Sequence, residues 1–187
     1  MSRPNLHVAL IHHPVVSKNG EIIASAVTNL DLHDIARTAK TYGVNSFYVV
    51  TPLEDQAELV DKIVAHWVTG PGGDYTPSRR EALLLIRQKA SYAKVLDDIR
   101  QKENAEPITV ATSAKAKPPL LSFEKFKGLL DKGMPTVLAL GTAWGFAETF
   151  MEASDYVLEP VTGGTDYNHL PVRSAAAIIL DRVLGCR

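Results

Sequence analysis

One cysteine, Cys186, stands near the end of a 187-residue sequence. A disulfide framework and a cysteine-based zinc site within one chain are thereby excluded, and a reduced, cytoplasmic setting is expected. No apolar run approaches the ~18 residues that a membrane-spanning helix needs. The opening segment MSRPNLHVALIHHP is a short apolar stretch broken by histidines and a proline, and reads as neither a signal peptide nor a span. An excess of charge is also missing. Twenty basic against 21 acidic residues leave a net charge of −1, so no global basic field announces a nucleic acid, and any RNA contact must come from a local patch. The six histidines are scattered, with no HExxH or HxxxH pair, which argues against a metal site. There is no GxGxxG fingerprint and no glycine run followed by a P-loop lysine.

What is present is the composition of an ordinary globular protein, 45% hydrophobic and 22% charged, which fits a single domain over residues 1–187. Residues 6–13 (LHVALIHH) read as a buried strand. Residues 31–43 (DLHDIARTAKTYG) carry Leu32, Ile35, Ala36 and Ala39 at helical spacing and stop at Gly43. A strand over 45–51 and a helix over 54–68 follow, the helix with Leu59, Ile63 and Trp67 on one face. Residues 69–81 (TGPGGDYTPSRRE) are rich in turn formers and read as a loop. Residues 82–89 (ALLLIRQK) fit strand or helix by periodicity, and are assigned to a strand because 91–103 is a clear helix capped by Ser91. Strands over 107–114, 136–141 and 155–160 alternate with helices over 122–133 and 147–154, and an alanine-rich helix over 173–185 closes the chain. This alternation predicts an α/β fold with a mostly parallel sheet of six to seven strands and helices on both faces.

Ligands of such sheets sit outside the carboxyl ends of the strands, which directs attention to residues 111–119 (ATSAKAKPP), 141–146 (GTAWGF) and 159–171 (EPVTGGTDYNHLP). Glycine lets backbone approach a ligand closely. Each loop alone could be a plain strand-to-helix turn. Three together suggest a pocket lined by main-chain groups, suited to a neutral heterocycle more than to a phosphate.

The segment 26–52 resembles the first motif of the SPOUT (α/β-knot) superfamily of RNA methyltransferases, through Asn29, Ala36-Arg37-Thr38-Ala39 and Tyr42-Gly43-Val44. Residues 137–163 resemble the second motif, with a strand, a glycine loop, a helix and an Ala-x-Asp step at Ala153 and Asp155. Residues 168–185 resemble the third, a loop leading into an alanine-rich helix. The order is the family's, and the chain is similar in particular to a small stand-alone bacterial group described as S-adenosylmethionine-dependent RNA methyltransferase-like. The resemblance implies a deep trefoil knot over residues 107–187, a homodimer, and S-adenosylmethionine held bent by the knot loops. It places cofactor contacts at Thr112 and Ser113; at Leu140, Gly141, Thr142 and Gly145; and at Glu159, Pro160, Val161, Asn168, Leu170 and Val172. The expected partner is RNA, either tRNA or rRNA, with no membrane and no metal.

Methyl transfer from a sulfonium is an in-line displacement that depends on holding the methyl beside its acceptor. A ring nitrogen or ribose hydroxyl usually also needs a proton removed or a charge steadied. The resemblance gives Arg37 the motif-one role of orienting RNA phosphate or activating the nucleophile, with Asn29 positioning substrate. The family's 2′-O-methylating branch carries an Asn and a Ser in its third motif where this chain has Pro171 and Arg173, and a Glu in its second-motif loop that is missing here. The signature of the tRNA guanine-N1 branch is absent too. Arg173 could replace the missing polar group, and Asp166 could serve as a base. Methylation at a base nitrogen or a ribose 2′-hydroxyl stands beside two alternatives: a non-catalytic RNA-binding module that keeps the pocket, and an unknotted nucleotide or flavin binder. Lys115, Lys117, Lys125 and Lys127, with Arg79 and Arg80, could meet phosphate or form a solvated face. Trp67 reads as core and Trp144, in a glycine loop, as exposed.

Overall fold

The fold is that of a computed structural model, which describes residues 4–186. In chain order it contains β1 (Leu6–Ile11), β2 (Val15–Val16), β3 (Ile22–Ile23), α1 (Asn29–Thr41), β4 (Ser46–Val50), α2 (Glu54–Val68), α3 (Pro71–Tyr75), α4 (Pro77–Leu83), β5 (Ile86–Lys89), α5 (Tyr92–Glu103), β6 (Ile108–Ala111), α6 (Phe123–Leu130), β7 (Thr136–Gly141), α7 (Glu148–Glu152), β8 (Tyr156–Val157) and α8 (Val172–Leu184). Six strands form one sheet in the order β5-β4-β1-β7-β6-β8, and all its pairings are parallel. This is the sheet predicted from the alternation of patterns, at the lower of the two strand counts.

Period-two burial divides the strands between two cores. Leu6, Val8 and Leu10 of β1, with Phe47, Val49, Val110, Leu138 and Leu140, face a layer built from α1, α6 and α8 through Leu32, Ile35, Phe126, Ile179 and Leu180. The alternate residues Ala9, Ile11, Tyr48, Val50, Val137 and Ala139 face the opposite layer, where α5 contributes Val95 and Ile99 and α7 contributes Phe150. Helices therefore cover both faces, as near-continuously buried parallel strands require.

Two segments depart from the sequence reading. Residues 69–81 hold the short helices α3 and α4 where a loop was expected. Pro71 and Pro77 each open a helix, where their missing N–H is not needed. Gly72 and Gly73 are buried because the turn packs directly on α2; a Cβ on Gly73 would lie 2.4 Å from the Trp67 carbonyl oxygen. In the expected strand 82–89, only Ile86–Lys89 pairs. Ala82 and Leu83 finish α4 and are buried, so their apolar character serves a helix. A third feature was not foreseen at all. β2 and β3 form an antiparallel hairpin, turned by residues 17–21 with Gly20 at φ 82°. The strand expected over 155–160 shortens to β8, anchored because the Asp155 carboxylate accepts from the Thr109 N–H at 2.8 Å and the Thr109 hydroxyl at 2.7 Å. Among the described residues no helix is long and apolar enough to cross a membrane.

Candidate functional site

The carboxyl ends of β7, β6 and β8 open into one cleft of about 640 Å³. Its walls are the three loops singled out from the sequence, the start of α8, and residues 25–31 leading into α1. All twelve residues expected to touch a cofactor line it: Thr112, Ser113, Leu140, Gly141, Thr142, Gly145, Glu159, Pro160, Val161, Asn168, Leu170 and Val172.

Most polar side chains among them are already spent on shaping the loops. The Thr112 hydroxyl donates to the Ala139 carbonyl at 2.9 Å, and Ser113 Oγ accepts from the Lys115 N–H at 3.1 Å. Asn168 Nδ2 donates to the Ala114 carbonyl at 3.1 Å, tying the third loop to the first. Glu159 Oε1 caps α6 by accepting from the Phe123 N–H at 2.7 Å. What these residues turn to the cleft is therefore largely main chain. The glycine loop is tight: a Cβ on Gly141 would lie 3.3 Å from Gly145 Cα, and Gly145 itself sits at φ 97°.

The hairpin is tied to this loop through its backbone. Val16 donates its N–H to the Gly145 carbonyl at 2.9 Å and accepts from the Trp144 N–H at 3.1 Å, so β2 straps the glycine loop along its length. Beneath it, Thr142 donates its hydroxyl to the Ile11 carbonyl at 2.9 Å, and its oxygen meets Ser25 Oγ at 2.5 Å. Ser25 in turn meets His12 Nδ1 at 3.0 Å. His12 is fully buried, and burial pushes its pKa down to about 4 against the opposing pull of Asp31. It is a neutral ring fixing a hydroxyl, which is the local role of a strand-end histidine.

Ser25, Thr28 and Asp31 were missed by the sequence reading. Thr28 caps α1, accepting from the Asp31 N–H at 3.3 Å and donating to Asp31 Oδ2 at 2.7 Å. A threonine three residues before an aspartate at a helix start was the available signal; nothing local marks Ser25. Asp31 and Asp34 hold Arg173 through contacts of 3.4 Å each.

The three residues proposed for catalysis are split. Arg173 lines the cleft. Arg37 and Asn29 do not, because helical spacing turns them to another face of α1, where they border a second cleft. Asp166 is exposed and is not among the lining residues. Trp144 is 53% exposed at the rim, with Lys115 Nζ 5.5 Å from its ring centroid. Trp67 is only partly buried; Arg79 lies over it at 4.6 Å. No cluster of three or more metal-ligating side chains occurs among the described residues.

Residues 5–185 match the family model described as SAM-dependent RNA methyltransferase. The chain belongs to that family. A protein of Oleidesulfovibrio alaskensis named tRNA (guanine-N(1)-)-methyltransferase is 42% identical over 181 residues, which are 97% of this chain and 42% of that protein. An uncharacterized protein of Aquifex aeolicus is 35% identical and is matched over 91% of its length. The chain thus spans less than half of the named relative and nearly all of the other. In fold it is similar to the SpoU methyltransferase AviRb of Streptomyces viridochromogenes (TM-score 0.59, 18% identity, 97% of this chain and 60% of that one). It is also similar to the TrmH/SpoU tRNA modifying enzyme of A. aeolicus (TM-score 0.58, 18% identity, 97% and 74%). AviRb is known in complex with AdoMet as well. Family membership removes the flavin or nucleotide binder from consideration.

Proposed function

We propose that this chain transfers a methyl group from S-adenosylmethionine to RNA, with the cofactor held among the three loops by the twelve lining residues. The observation that carries the reading is the convergence of three loops whose side chains bond inward, which leaves main-chain donors and acceptors facing a cleft of about 640 Å³. That volume is ordinary for a cofactor site. S-adenosylmethionine, when bound, supplies a methyl on a sulfonium. Leu140, Gly141 and Gly145 give it backbone approach, Pro160 and Val161 exclude water, and Arg173 steadies charge at the acceptor. Arg37 and Asn29, on another face of α1, hold RNA and stand apart from the reacting atoms of their own chain.

The proposed RNA is tRNA, after the named relative. The guanine-N1 part of that name describes a protein more than twice the matched length, and the guanine-N1 signature is absent here. We further propose a single domain, a trefoil knot over residues 107–187, a homodimer and a cytoplasmic location. The knot is supported by β8 pairing beyond β6 while α8 returns to α1 and α6. The dimer is supported by exposed Trp144, Tyr167 and Leu170 at the cleft rim.

One observation favours the alternative of a non-catalytic module. Both carboxylates lining the cleft are engaged, Asp31 with Thr28 and Arg173 and Glu159 with the α6 N-terminus. Calorimetry with S-adenosylmethionine, followed by labelled-methyl incorporation into undermodified tRNA and rRNA, tests both. Cofactor binding with incorporation supports the enzyme, and nuclease digestion of the product then assigns base or ribose. Binding without incorporation supports the module. No cofactor binding at millimolar levels refutes both.

A further inference from the structure

On the far side of α1 from the cofactor cleft lies a second cleft of about 600 Å³, walled by α1, α2 and Arg79 of α4. Trp67 forms its floor. The Arg79 guanidinium lies over that ring at 4.6 Å, and His33 and His66 meet the ring edge-on at 5.4 and 5.1 Å. Gly72 makes the arrangement possible, since a Cβ there would lie 2.8 Å from His66 Nε2 and 2.9 Å from Trp67 Cε3.

The charges are unbalanced. Arg37, Lys62 and Arg79 line the cleft against one carboxylate, Asp34, which is turned to Arg173 at 3.4 Å. Lys62 also meets Glu58 at 2.9 Å on the helix surface. Arg79 Nε and His33 Nδ1 are buried and have no hydrogen-bond partner. Arginine keeps its charge under all ordinary conditions. A half-buried guanidinium with its apolar face on an indole and a buried N–H without an acceptor calls for an anion. Burial lowers the His33 pKa, aided by the Arg79 charge, with Asp34 partly opposing.

We propose that this second cleft holds an RNA phosphodiester, gripped by Arg79 and Lys62 across α1 from the proposed methyl-transfer pocket. Phosphate contacts set register and orientation, leaving chemistry to the first cleft. Helix α1 is the shared wall, so RNA held here lies across the edge of the cofactor site. The chain's near-neutral charge makes such a local grip necessary. The inference rests on the RNA methyltransferase reading and extends it to residues outside the three motifs.

The test is fluorescence anisotropy with an unmodified tRNA transcript between about 50 and 200 mM salt. Arg79→Gln and Lys62→Gln are compared with the unaltered protein, alongside calorimetry with S-adenosylmethionine. Arg79→Gln is expected to weaken RNA binding roughly tenfold, the loss of one charge-assisted contact, and to lower the salt slope by about 1. Lys62→Gln is expected to lower the slope in the same sense, and cofactor affinity stays unchanged in both. Lys62 is exposed, so its variant decides the matter if Arg79→Gln does not fold. Folded variants with unaltered affinity and slope would overturn the second cleft alone. An unaltered protein that binds no tRNA would overturn this inference together with the RNA reading.

Discussion

At the residue scale, two buried histidines give the protein a pH-dependent stability. His7 in β1 is 1% exposed, neither ring nitrogen has a hydrogen-bond partner, and burial pushes its pKa to about 4. Glu103 stands 3.8 Å away, but a ring with that pKa is neutral near pH 7, so the contact is no ion pair there. His12 is depressed to the same value. Both folded pKa values lie below the unfolded 6.5, so the unfolded chain binds more protons between them. The stability is fully present above 6.5 and is lost as pH falls towards 4. Urea unfolding at pH 7 and pH 5 should show a loss of up to about 2 kcal/mol per histidine. His7→Leu, which leaves no hydrogen-bond partner stranded, should remove its share of that loss. Glycines give a second contrast. Gly145 sits at φ 97° with open space where a Cβ would go, whereas Gly128 lies inside α6 with equally open space. Gly145→Ala should cost about 1–2 kcal/mol, while Gly128→Ala should add about 0.5–1 kcal/mol, a difference in sign that thermal melts resolve.

At the element scale, the cleft depends on how β8 and the hairpin are fastened. Asp155 accepts two hydrogen bonds from Thr109, and the Thr109 hydroxyl accepts the Asp155 N–H at 2.9 Å. This closes β8 onto β6 before the chain enters the third loop. Asp155→Ala strands a buried N–H and should destabilise the protein by about 1–3 kcal/mol in chemical denaturation, with weaker cofactor binding as the loop loses its anchor. The hairpin acts on the neighbouring loop through Val16, and Ser25, just beyond β3, acts on it through Thr142. It also explains how a glycine-rich segment can be preorganised, because its backbone groups pair with β2.

At the scale of the whole molecule, sheet order brings distant segments together. β1, β7 and β6 are neighbours, so loops far along the chain from Ser25 share one cleft with it. A ligand bound there bridges both halves of the chain and should stabilise the native state as a unit. At a hundredfold excess over its Kd, S-adenosylmethionine should contribute about 2.7 kcal/mol and raise Tm by roughly 5–10 °C. Scanning calorimetry checks this, and an unchanged Tm would count against the assigned site.

The sequence by itself determined the kinds of elements and the three loops that form the cleft. Buried parallel strands, helical stripes and the serine cap at Ser91 are local patterns, and that cap stands where expected. All twelve positions expected to touch a cofactor fell into one cleft because loops after parallel strands gather at one edge of the sheet. Only the tertiary structure decided which cleft each face of α1 borders, and so that Arg37 and Asn29 part from Arg173. It alone revealed the hairpin strap, the Ser25 contact and the helices made from a stretch of prolines and glycines. Those features depend on partners far along the chain: Gly145 for Val16, Thr142 for Ser25, Trp67 for Gly73. Local propensity carries no record of such partners, because closing the sheet is what sets the distances between them.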